Sequence, residues 1–173
     1  MAMFFYDNNL RVYEQKHEFC ALLNYLIQLY VAKSNVQLLT TIIAYSWYLS
    51  TSHEYDNEVN YDYDKFIMLW SEYIDKGKIS YPDDPGFNFV AGYTLGLHYF
   101  YVRSYRHDEK EYWIFIRKAY LQNTNMKVKL LAENFIANDE RHKIIPLNNN
   151  EIVYSLFPNT SLLDNYFKEI YLS

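Results

Sequence analysis

The sequence predicts an all-α fold, a bundle of about seven to eight helices with antiparallel neighbours, folded as a single helical domain over residues 1–173. Three observations carry this expectation. Apolar residues recur at three-to-four spacing along almost the whole chain. Only 4 glycines and 4 prolines punctuate 173 residues, which argues against a many-stranded sandwich or barrel and against linker-rich or collagen-like classes. Half of the residues are hydrophobic, ample at this length for one packed core.

The elements follow in order. From Leu10 to Ala32, Tyr13, Cys20, Leu23, Ile27 and Tyr30 keep helical spacing and predict one helix. Ser34 is placed to cap a second helix running through Tyr48. An acidic connector, Ser52 to Asn60, leads to a third helix opened by Asp62 or Asp64, with Phe66, Leu69, Trp70 and Tyr73 on one face and Gly77 as its C-terminal stop. Ser80 to Gly86 reads Ser-Tyr-Pro-Asp-Asp-Pro-Gly, the clearest turn. A fourth helix from Phe87 to Tyr105 carries Gly92 and Gly96, four apart, a spacing that lets another backbone approach closely. The charged corner His107 to Glu111 opens a fifth helix with Tyr112, Trp113, Phe115, Ile116 and Tyr120, which Asn123 to Asn125 breaks. Met126 to Ala137 is a sixth, with Val128, Leu131 and Phe135 in register. After a loop around Pro146 and Asn148 to Asn150, two short helices close the chain, Glu151 to Phe157 and Ser161 to Tyr171, the last capped by Asn159, Thr160 or Ser161.

Composition excludes several function classes. A net charge of −5 with a pI near 5.5 disfavours a general nucleic-acid binder. Cys20 is the single cysteine, so neither an internal disulfide framework nor a cysteine-based zinc site is expected. The opening Met-Ala-Met-Phe-Phe-Tyr-Asp has no basic start, long apolar run or small-residue cleavage site. Ser34 to His53 and Phe87 to Val102 carry no formal charge, yet the first is rich in Ser, Thr, Asn and Gln and the second is short. Both are expected as helices buried within the bundle rather than membrane spans. The expected compartment is the cytoplasm, with no membrane partner and a monomer favoured.

Chemistry-bearing constellations are sparse. Glu14 and His17, and again Asp139 and His142, stand three apart, a spacing that can build a di-metal carboxylate site in a bundle. Such a site needs carboxylates from two further helices, and the two most buried-looking helices contain none. His17 and Cys20 could orient a thiolate–imidazole pair, although no oxyanion-hole loop accompanies them. His53-Glu54 and His107-Asp108 are adjacent in sequence, so neither pair shares a helix face. No phosphate-binding glycine loop, nucleophile elbow or His-Glu-x-x-His string occurs. The reading is therefore of a non-enzyme, with no catalytic residues, no metal and no cofactor.

The least generic feature is Glu54 to Asp84. It holds nine acidic residues against three lysines, so this one segment accounts for the whole negative balance. Within it acids alternate with phenols: Tyr55, Asp56, Glu58, Tyr61, Asp62, Tyr63 and Asp64. Tyrosine brings large contact area with few rotatable bonds, and clustered carboxylates speed association with a basic partner. These seven are the candidate partner-binding residues. Nucleases are cationic around the substrate groove, so an acidic aromatic surface can occupy such a groove in place of the nucleic acid. With 20 tyrosines in the chain, a surplus left at the surface would extend such a patch.

The block Phe66-Ile-Met-Leu-Trp-Ser-Glu-Tyr-Ile, followed by Pro85-Gly-Phe-Asn-Phe-Val-Ala-Gly-Tyr-Thr-Leu-Gly-Leu-His-Tyr-Phe-Tyr, resembles the small helical immunity proteins encoded beside bacterial polymorphic or contact-dependent growth inhibition toxins. The likeness covers Tyr63 to Tyr101 and rests on aromatic and small residues. It implies a cytosolic protein that binds one cognate toxin domain, a basic nuclease on the charge argument, and blocks its active site. Two alternatives stay open: a helical adaptor or regulator with another partner, and a carboxylate–histidine metal enzyme using Glu14, His17, Asp139 and His142.

Overall fold

The computed structural model describes residues 2–52, 61–102, 107, 109–122, 124–141, 150–159 and 161–172, with side chains over these ranges except 98–102, 109 and 137–141. Among the described residues there are nine helices and no strand: α1 Asn8–Gln15, α2 Phe19–Ala32, α3 Val36–Thr51, α4 Tyr63–Ser80, α5 Pro85–Val102, α6 Glu109–Leu121, α7 Met126–Arg141, α8 Asn150–Leu156 and α9 Leu162–Leu172. The protein is all-α, and no helix among the described residues is long and apolar enough to cross a membrane.

Local chemistry sets the boundaries. Asp7 caps α1, its carboxylate accepting from the Leu10 amide at 2.8 Å. Asn35, not Ser34, caps α3 through the Leu38 amide at 2.9 Å, while the Ser34 hydroxyl donates back to the Tyr30 carbonyl. Asp84 accepts from the Phe87 amide at 2.8 Å and so caps α5, whose first residue is Pro85. Asn125 does the same for α7. At α9 the cap is Ser161, whose hydroxyl accepts from the Asp164 amide at 3.0 Å. The Asp164 carboxylate in turn accepts from the Asn159 amide at 3.1 Å.

Two further expectations are corrected. The helix expected from Leu10 to Ala32 is two helices. The chain turns at His17, which adopts a left-handed backbone with φ of 56°. Gly77 does not end α4, which continues to Ser80. It lies buried inside the helix, where a Cβ would stand 2.6 Å from Phe87 Cδ2 and overlap the rest of that ring edge. The absent side chain serves helix packing rather than termination. Gly92 and Gly96 do mark close crossings: added Cβ atoms there would meet Ile116 of α6 at 2.7 Å and Phe135 of α7 at 2.9 Å.

The two uncharged helices are the centre of the bundle. α3 is buried almost throughout and packs on α2, α4, α5 and α9, while α5 packs on α3, α4, α6 and α7. Side chains with no charge suit α3, buried along nearly its whole length, and the stretch of α5 from Phe87 to Leu95, which is buried throughout. Thr40 and Thr41 in α3 return their hydroxyls to the Gln37 carbonyl. Residues 2–5 cross the start of α3 as a strap. The Met3 amide donates to Leu156 O at 2.7 Å, the Phe5 amide to the Thr41 hydroxyl at 2.8 Å, and the Gln37 side-chain amide to Ala2 O at 2.7 Å. Beside it lies a pocket of about 70 Å³ bounded by Met3, Gln37, Thr40, Asp84, Asn125 and Leu156.

The tyrosines are largely structural. Tyr30, Tyr45, Tyr73, Tyr93 and Tyr171 are buried, and Tyr48, Tyr61, Tyr63, Tyr112 and Tyr166 pack partly buried against the core. Trp47, Tyr48, Tyr93 and Tyr166 form a chain of edge-on contacts between α3, α5 and α9 at 5.4–5.8 Å. Among the described tyrosines Tyr154 is exposed and the rest are buried or half-buried, so no surplus of surface phenols extends the acidic patch there.

Candidate functional site

Four of the seven expected partner-binding residues fall within the described structure; Tyr55, Asp56 and Glu58 lie outside the described residues. Tyr61 turns inward. Its ring meets Phe66 edge-on at 5.0 Å, and its hydroxyl donates to the Leu49 and Ser52 carbonyls at the end of α3. Leu49 lies in the last turn of α3, where a helix runs out of its own amides, so Tyr61 serves as a remote C-terminal cap. Asp62 is exposed but accepts from the Lys65 amide at 3.0 Å as the N-cap of α4. Tyr63 is half-buried against the core, and Asp64 is exposed. The belt therefore separates: Tyr61 and Asp62 shape the junction between α3 and α4, Tyr63 joins the packing, and Asp64 begins an outward stripe.

That stripe runs along α4. Phe66, Ile67, Trp70, Tyr73, Ile74 and Gly77 face the core, which leaves Asp64, Met68, Glu72, Asp75 and Ile79, at three-to-four spacing, on the opposite face. Met68 is 58% and Ile79 83% exposed, unusual for a face otherwise built of acids. The lysines near the end of α4 fold against the same helix or a neighbour. Lys76 reaches Glu72 at 2.7 Å and lies 4.1 Å over the Tyr73 ring; Lys78 bonds Asp75 at 3.1 Å and Glu111 at 3.0 Å. Among the described residues no cation pairs with Asp64 or with exposed Asp83 beyond the helix. The acids were legible in the sequence. Met68 and Ile79 were not, because an outward apolar residue is only distinguishable once the inward face is known.

A second constellation joins α4 to α6. The Ser71 hydroxyl lies 3.0 Å from His107 Nε2, and His107 Nδ1 lies 2.6 Å from Glu111 Oε2. A carboxylate beside Nδ1 pairs with the tautomer protonated there, in which Nε2 would accept from Ser71. Lys78 closes the network on Glu111. The order of atoms matches a serine–histidine–carboxylate triad. However, Ser71 and His107 are buried, and Ser71 sits mid-helix where the neighbouring amides are spent within α4. No pair of unspent amides stands beside Ser71 among the described residues to hold an oxyanion. The network binds two helices together. The i, i+4 spacing of His107 and Glu111 was a usable signal for half of it; Ser71, 36 residues away, carried none.

Of the histidine–carboxylate pairs read from spacing, Glu14 and His17 do not share a helix face. Glu14 is in α1, whereas His17 lies in the turn beyond it and stacks at 5.9 Å on Phe19. The same turn separates His17 from Cys20 of α2. Glu14 instead faces inward: Oε1 accepts from the Tyr45 hydroxyl of α3 and from the Leu162 amide of α9, the latter at 2.7 Å. Burial raises its pKa above the ordinary carboxyl value, opposed by these hydrogen bonds. Burial likewise raises that of Asp164, and Tyr45, buried beside Glu14, is held well above an ordinary phenol. His53, Glu54, Asp108 and His142, and the side chain of Asp139, lie outside the described residues; among those described no three His, Cys, Asp or Glu gather as a metal site. No family model, no curated protein and no solved structure matches this chain.

Proposed function

We propose that the protein is an immunity-type binding protein that neutralises a cognate basic toxin domain, a nuclease, by covering its substrate groove with the outer face of α4. The observation that carries this reading is the stripe Asp64, Met68, Glu72, Asp75 and Ile79, acidic along its length and interrupted by two large exposed apolar side chains. Carboxylates steer a cationic partner and set its register, while Met68 and Ile79 supply apolar anchors of the kind that hold it. Tyr55, Asp56 and Glu58 precede the stripe in sequence and extend its acidic character. Tyr61 and Asp62 hold the junction between α3 and α4 and lie outside the contact set.

The test is to co-express the protein with the toxin domain encoded by the neighbouring gene, and to measure growth rescue and complex formation. Rescue by the wild type, with loss of rescue and a weaker complex for Asp64→Lys/Glu72→Lys and for Met68→Ser/Ile79→Ser, supports the reading. Absence of a toxin gene beside this one, or a complex indifferent to all four changes, overturns it.

A further inference from the structure

The outer face of α6 has the opposite character from that of α4. Its inner face buries Phe115, Ile116 and Ala119. Lys110, Ile114, Arg117, Lys118 and Leu121 therefore share the outward side, with Ile114 56% and Leu121 71% exposed. Met126, 58% exposed, and Lys127 follow in the first turn of α7. Glu111, the acid of α6 whose side chain is described, is turned away to His107 and Lys78 at 2.6 and 3.0 Å. Trp113 sits at the edge of this face with the Arg117 guanidinium 6.0 Å over its ring. A chain of net charge −5 thus presents one surface of cations and large aliphatic residues.

We propose that this face docks on an anionic lipid bilayer surface. Ile114 and Leu121 are two helical turns apart and point the same way, so both reach a flat surface together. Each is flanked by cations, an arrangement complementary to the headgroup region of an anionic bilayer. A single-stranded nucleic acid needs open ring faces to stack on, but Trp113 is half-buried under Arg117 and Tyr120 is half-buried beneath Lys129, whose ammonium lies 5.3 Å over its ring. A bilayer takes aliphatic side chains one at a time into the headgroup–acyl boundary while surrounding lysines and arginines meet anionic headgroups. Lying on a surface asks nothing of helix length, so this is independent of the absence of a spanning helix among the described residues. It is also independent of the partner proposed for α4.

The experiment is sedimentation of the full chain with phosphatidylcholine vesicles, with and without phosphatidylserine, at low and at physiological salt. Binding should require phosphatidylserine and weaken as salt rises. Arg117→Glu/Lys118→Glu should lower it by about tenfold or more. Leu121→Ser, which leaves the charge unchanged, should lower it severalfold. All three positions are exposed, and circular dichroism checks that the variants stay folded. No dependence on phosphatidylserine, or binding that ignores both variants, overturns the proposal. Heparin binding as tight as vesicle binding, with Leu121→Ser changing neither, would make the face a general polyanion site and equally overturn it.

Discussion

Glu14 joins three helices through one carboxylate oxygen, taking the Tyr45 hydroxyl from α3 and the Leu162 amide from α9. Glu14→Ala leaves the buried Tyr45 hydroxyl without its acceptor and should cost about 1–3 kcal/mol in urea unfolding. Glu14→Gln keeps an acceptor oxygen and removes the charge, so it should be at least as stable as the wild type at neutral pH. The pH dependence follows from the raised pKa values of Glu14 and Asp164, whose ordinary values are 4.5 and 3.8. Between the ordinary and the raised value the folded chain holds protons that the unfolded chain has released. Stability therefore falls as pH rises through that interval and is level above it. Melts from about pH 4 to 7 should show this slope in the wild type and a shallower one in Glu14→Gln. Tyr61→Phe removes the donor to Leu49 and Ser52 and should cost about 0.5–1.5 kcal/mol. A partner affinity unchanged in that variant, measured by titration calorimetry, would confirm that the hydroxyl serves the fold.

Among the helices, Gly77 of α4 carries the sharpest prediction. Alanine is the better helix former by about 1 kcal/mol, yet its Cβ would overlap the ring of buried Phe87. A rigid ring in a closed core cannot yield, so Gly77→Ala should destabilise by about 1–3 kcal/mol, and Phe87→Leu in the same chain should recover part of the loss; thermal unfolding of the three variants decides. Gly77 also shows how far the helices were legible. A glycine behind an apolar stripe reads as a helix end, and only the neighbouring α5 reveals that it is a packing notch. Helix existence and type followed from periodicity, because α3, α4, α5 and α7 bury broad faces. Boundaries did not. Ser34 and Asn35 are equally good caps, and the turn at His17 carries neither glycine nor proline. The acidic half of the candidate site was visible because charge is a property of sequence, whereas Met68 and Ile79 acquire meaning only from what lies on the other side of α4.

At the scale of the molecule, the described residues carry acids outward on α4 and cations outward on α6. If α4 seats a basic partner, reversing Asp64 and Glu72 should slow association by about tenfold or more at low ionic strength and much less at high salt, with dissociation changed little, because exposed charges act on encounter more than on the final contact. Stopped-flow association at two salt concentrations measures this.

The strap formed by residues 2–5 has a consequence for how the chain is born. Phe4 packs on Phe157 and Phe167 at 5.9 and 5.3 Å, and the Met3 amide is held by Leu156. An emerging polypeptide exposes Phe4 long before the ribosome has made its partners. The strap cannot seat fully until α8 and α9 exist, and a chain arrested before residue 150 should be clipped by protease around residues 2–5, where the longer chain resists.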